Sequence, residues 1–161
     1  MLITKRMDNN QVYRYYSSEF EQANNCHRQL LSKEFELQII NVRMKYDVPK
    51  NNFKNQIERI NLEAEIHNIT RERDVHLNNA IHYVLSLANN EIANAQSMII
   101  SLAYMALSYI NIFISTQNIN LNLSPSIRIE LIQISNKLIS PNTPVLNLKS
   151  ELDKLKFLCK I

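Results

Sequence analysis

The sequence predicts an all-α helical bundle of about five helices, with two long N-terminal helices packed with a shorter three-helix C-terminal part. Three observations predict it. Apolar residues recur at spacings of three and four along nearly the whole chain, with no strand-like alternation. There is no glycine at all, where roughly eleven would be expected at about 7% usage. The 161 residues are 45% hydrophobic and 20% charged, the balance of a globular chain, and are read as one domain over residues 1–161.

The first helix is expected to start at Ser17-Ser18-Glu19, a capping sequence behind a tyrosine cluster. Leu31, Phe35, Ile39, Val42 and Tyr46 then mark its apolar side, which Leu30, Leu37, Ile40 and Met44 widen. Pro49 ends it near Asp47, because proline lacks the N–H and disfavours a helical predecessor.

The second helix is expected from Phe53 to Asn89, with a break admitted near Thr70. Phe53, Ile57, Ile60 and Ala64 form one stripe. Leu62, Ile66 and Ile69 begin another, which Leu77, Ile81, Val84 and Ala88 continue. Glu58-Arg59, Glu63, Glu65 and Arg71-Glu72-Arg73 read as a solvated, ion-paired face.

Asn89-Asn90-Glu91 reads as a turn, with asparagine in glycine's usual left-handed role. A third helix follows from Ile92 to Ser115, then an Asn-rich loop from Thr116 to Ser124. Ser124-Pro125 starts a fourth helix lined by Ile127, Leu131, Ile134 and Leu138. Ser140-Pro141-Asn142-Thr143-Pro144 interrupts the chain. Thr143 is read as the cap of a last helix carrying Val145, Leu148, Leu152, Leu155 and Cys159.

The missing glycines exclude whole classes of chemistry. A Walker loop, a dinucleotide-binding turn, a nucleophile elbow and an EF-hand each need glycine at a fixed place. Net charge is +3, too mild for a dedicated nucleic-acid binder. The excess lies after Glu91, in Arg128, Lys137, Lys149, Lys154, Lys156 and Lys160. Cys26 and Cys159 show no pairing pattern, so free thiols in a reducing compartment are expected, in the cytoplasm or the interior of a host cell. The N-terminus has no apolar stretch of the secretory kind. Asparagine and isoleucine have AT-rich codons and glycine GC-rich ones. An AT-rich genome, viral or bacterial, is expected to push composition this way.

No ionisable Asp, Glu, Lys, Arg or His lies between Glu91 and Arg128. Within Ile92–Ile114, seventeen of twenty-three residues are apolar, enough to cross a bilayer. Asn94, Ser97, Ser101, Ser108 and Asn111 share one sector of about 100°. The stretch is read first as a buried bundle helix whose stripe is its wet or partner-facing side, and second as a membrane helix whose stripe is a helix–helix seam, so Ser97, Ser101, Ser108 and Asn111 are expected at an interface. Tyr13, Tyr15, Tyr16 and Phe20 lie beside Arg14. Of these, Tyr13, Tyr16 and Phe20 either pack the terminal segment onto the core or are candidate partner anchors, because tyrosine and phenylalanine give large rigid contact area.

Arg71-Glu72-Arg73-Asp74-Val75-His76 contains Arg-x-x-x-x-His. It resembles the motif of the HEPN ribonuclease superfamily, which is all-α and often dimeric. The resemblance implies Arg71 binding a scissile phosphate and His76 moving the proton. Glu72 stands where the family commonly has Asn, Asp or His, and Asn78 where an aromatic is common.

Glu63 and His67, like Glu72 and His76, are four apart, but no third ligand has a telling spacing; no metal and no cofactor are expected. The chain is therefore expected to be a non-enzymatic helical protein acting by protein–protein contact or self-association. The alternatives are a HEPN-like ribonuclease using Arg71 and His76, and a membrane-associated protein with Ile92–Ile114 inserted.

Overall fold

The computed structural model describes residues 9–89, 96–116, 120–139 and 146–159. Five helices carry the described chain: α1 (Asn9–Tyr46), α2 (Pro49–Asn89), α3 (Gln96–Ser115), α4 (Pro125–Leu138) and α5 (Leu146–Cys159). There is no strand among the described residues. The turn at Asn90-Glu91, the start of the third helix at Ile92–Ala95 and the cap at Thr143-Pro144 lie outside them.

Two element boundaries differ from expectation. The first helix begins before the tyrosine cluster, so Ser17 is interior to it, its hydroxyl bonded to the Arg14 carbonyl at 3.2 Å. The second begins at Pro49 itself, where the missing N–H is an orphan of the first turn in any case. It also runs unbroken through Thr70, whose hydroxyl is satisfied by the Ile66 carbonyl at 2.7 Å. The fourth helix opens at Ser124-Pro125 as read, though Ser124 makes no side-chain cap and meets the Ser126 hydroxyl instead.

α1 and α2 form a hairpin. Its turn is closed by Asp47, whose N–H reaches the Arg43 carbonyl at 2.7 Å and whose carboxylate accepts from buried Asn55 at 2.8 Å. The two ends of the hairpin differ. At the open end, Val12, Tyr16, Phe20 and Ala23 of α1 and Leu77, Ile81 and Val84 of α2 join Leu102, Leu107, Ile110 and Phe113 of α3 in one core. Leu131 and Ile132 of α4 and Leu148, Leu152 and Leu155 of α5 complete it. Tyr16 stacks on Tyr83 with ring centroids 3.7 Å apart. This core stops at Ala23 on α1 and resumes at Leu77 on α2. Beyond it the two helices touch the α3 end through His27 and Arg73 and then continue as an arm, whose buried Leu30, Ile40, Asn55 and Leu62 lie outside that core.

Candidate functional site

The arm is built on heptad spacing. Its inner seam on α1 is Leu30, Leu37, Ile40 and Met44, and on α2 Asn55, Leu62, Ile66 and Ile69, all buried or half-buried. Lys33 to Glu65 at 2.9 Å and Arg43 to Glu58 at 3.7 Å bridge the two helices along it.

Each helix carries a second apolar stripe that this seam does not use. Leu31, Phe35, Ile39, Val42 and Tyr46 of α1 are all exposed, as are Phe53, Ile57 and Ile60 of α2. Phe35 is 64%, Tyr46 75% and Phe53 71% exposed, against 7% for Ile40 and 6% for Leu62. At 100° per residue the two stripes of α1 are centred about 180° apart, and those of α2 roughly so. The outer stripes therefore point away from each other, on opposite flanks of the arm. This corrects the reading of Leu31–Tyr46 and Leu30–Met44 as one widened face. Nine of the sixteen large apolar side chains exposed among the described residues lie between Leu31 and Ile60.

A buried polar knot sits at the root of the arm. Arg73 is fully buried, so Arg71-Glu72-Arg73 is not uniformly solvated as the charge pattern suggested. The Arg73 Nε donates to Asp74 at 3.0 Å, its Nη1 to Nδ1 of His27 at 3.0 Å, and its Nη2 to the Asn120 carbonyl. The guanidinium also lies over the Phe113 ring, 5.0 Å from its centroid, and His27 stacks on the same ring at 4.4 Å. Because Nδ1 of His27 accepts, its Nε2 carries the hydrogen and donates to Thr116 at 2.9 Å. The Thr116 hydroxyl donates in turn to the Ile112 carbonyl. Asp74 accepts from the Asn122 backbone N–H at 3.2 Å. Burial, then the Arg73 charge, pushes the His27 imidazolium down to about 4, so the ring is neutral near pH 7. The knot thus clamps the α3–α4 connection onto the hairpin and fixes where the arm leaves the core. Arg73 falls on the Leu62–Ile66–Ile69 register, the one signal in the sequence that it turns inward.

The expected interface residues are distributed differently. Tyr16 and Phe20 are fully buried in the chain's own core and offer no surface, because α1 begins upstream of them and packs them on α2 and α3; Tyr13 is half-buried beside them. Asn111 is buried too, donating to the carbonyl and the carboxylate of Glu151 at 2.8 and 2.9 Å, so this part of the polar stripe is an intrachain seam with α5. Ser108 opens beside it into a cavity of about 450 Å³ between α3 and α5, walled by Ile112, Glu151 and Phe157. Ser101 is half-buried and Ser97 exposed. One described helix, α3, is long and apolar enough to cross a membrane; in the fold its Leu102, Ala103, Ala106 and Ile110 are fully buried.

Arg71 and His76 line one shallow cavity of about 330 Å³ with Asn68, Glu72 and Val75. Arg71 is exposed, whereas His76 Nδ1 is held by Glu19 at 2.8 Å and its Nε2 faces Glu72 at 3.9 Å. The imidazole is therefore ringed by carboxylates, which oppose an approaching phosphate. Among the described residues no cluster of His, Cys, Asp or Glu has the geometry to hold a metal ion, and both cysteines are free thiols.

No family model, curated protein or solved structure matches the chain.

Proposed function

We propose that this chain is a non-enzymatic helical interaction protein that docks other helices on the outer faces of its α1–α2 arm. One observation carries the reading. Leu31, Phe35, Ile39, Val42 and Tyr46 on one flank, and Phe53, Ile57 and Ile60 on the other, stay exposed on an arm already held together by a different seam.

Energetics support it. Burial of apolar surface is worth about 25 cal/mol per Å², so leaving such stripes in water forgoes several kcal/mol that a partner helix would recover. Contiguous apolar patches beyond a few hundred Å² on soluble chains usually mark contact sites. Large residues at i, i+4, i+8 and i+11 are the anchors by which one helix packs into the groove of another. The root of the arm favours binding over chemistry: Arg73 and His27 are closed to solvent and hydrogen-bonded within the fold.

The test replaces Phe35, Val42, Phe53 and Ile57 with serine in the full chain, in the cells that express it. We expect the wild-type chain to migrate on a native gel in a complex heavier than 18.9 kDa, and the variant to migrate alone. A wild-type chain running at its own mass, or a variant that keeps the same complex, contradicts the proposal.

A further inference from the structure

We infer that the α1 face of the arm pairs with the same face of a second copy of this chain, antiparallel about a two-fold axis beside Ile39. This rests on the reading of the arm as a docking element and names the occupant of one of its two faces.

Charge decides the partner and its direction. Glu34 and Glu36 flank the half of the stripe nearer the core, while Arg43 and Lys45 flank the half nearer the tip. A parallel copy sets like charge beside like charge. An antiparallel copy with its axis between Ile39 and Ile40 brings Glu36 opposite Arg43 of the second copy and Glu34 opposite Lys45 of the second copy, each twice by symmetry. Lys33, the nearby cation on the acidic half, is shared between Glu65 of α2 at 2.9 Å and Glu36 at 3.9 Å, so it offsets Glu36 only in part, and the Glu36 side chain stays 51% exposed toward a second copy. Arg43 meets Glu58 at 3.7 Å with its side chain 55% exposed, so it reaches both partners.

Length agrees with this register. Leu30 of one copy falls opposite Pro49 of the other, just beyond its tip. The two cores then lie outside each other's arms, and only the arms overlap. Five large side chains of roughly 150–250 Å² each, about half exposed, offer on the order of 500 Å² per copy. Two copies bury about 1,000 Å², at the lower edge of what a specific interface needs. An interface of that size is expected to be weak, so the dimer should form only as concentration rises. The α2 face stays open for a different helix.

Light scattering coupled to gel filtration of the full chain, over a concentration series without detergent, tests this. The expected mass rises from 18.9 kDa to twice that value. Phe35→Ser with Val42→Ser stays monomeric at every concentration with an unchanged melting temperature, since both side chains are already exposed. Glu36→Arg or Arg43→Glu alone weakens the dimer about tenfold, and the two together in one chain restore it. A chain monomeric throughout, a dimer indifferent to these substitutions, or mass that grows beyond two copies overturns the proposal; the last would mean α1 docking on α2 of the next copy in an open array. A monomer whose cellular complexes still depend on Phe53 and Ile57 would remove the self-pairing and leave the arm reading standing.

Discussion

The Arg73 guanidinium donates to Nδ1 of His27 across 3.0 Å, and both side chains are closed to solvent. This contact joins α2 to α1 where the arm leaves the core. The same two residues also hold the α3–α4 connection, Arg73 through Asn120 and His27 through Thr116.

Removing one charge of the knot leaves the other buried without its partner. Arg73→Ala strands Asp74 and is expected to cost about 3–5 kcal/mol of folding stability. Arg73→Lys is expected to recover only part of that, because an ammonium lacks the planar fork that reaches Asp74, His27 and Asn120 together. Urea unfolding followed by circular dichroism measures both.

Acid is expected to unfold the protein through His27. Its folded value is depressed to about 4, from 6.5 in the unfolded chain. The unfolded state therefore binds the extra proton first. His27's contribution is intact above about pH 6.5 and is lost as pH falls toward 4, amounting to about 3 kcal/mol. His27→Gln, which cannot titrate, should flatten that part of the pH–stability profile. An unchanged slope between pH 6.5 and 4 in the variant would assign the effect to another group.

The two stripes of α1 are expected to respond oppositely to truncation. Ile40→Ala, on the inner seam, should cost about 2–3 kcal/mol. Val42→Ser, two residues on and outside, should stay within about 0.5 kcal/mol in dilute monomer. Thermal melts of the two variants read the difference, and equal losses would contradict the assignment of faces.

Asn111 is expected to act as a fastener for α5. Asn111→Ala removes two hydrogen bonds to Glu151 and should cost about 1–3 kcal/mol. Hydrogen exchange should quicken in α5 before it does in the α1–α2 arm, because α5 is tied to the core mainly through α3.

Much of the fold was legible because helical periodicity and proline punctuation are local signals. Pro49 and Ser124-Pro125 each placed an element boundary, Pro125 to the residue. The expected start at Ser17-Ser18 failed because a serine that suits a cap is also tolerated inside a helix when its hydroxyl bonds back to an earlier carbonyl. The use of the stripes was not legible. Leu30 and Leu31 are adjacent and equally apolar, and only the position of α2 decides which one is buried. Arg73 escaped notice for the same reason: its burial depends on His27, Phe113 and Asn120, which lie 46, 40 and 47 residues away. Among the expected interface residues, Asn111 does lie at a helix–helix seam, but one within the chain.

The central claim, that the outer faces of the arm are docking surfaces, is tested most directly by a photo-crosslinking phenylalanine analogue placed at Phe35, at Phe53 and at exposed Gln133 of α4, in the cells that express the chain. Discrete adducts at Phe35 and Phe53, with none at Gln133, are the predicted result. No adduct at either arm position, or the same adducts at all three, would contradict it.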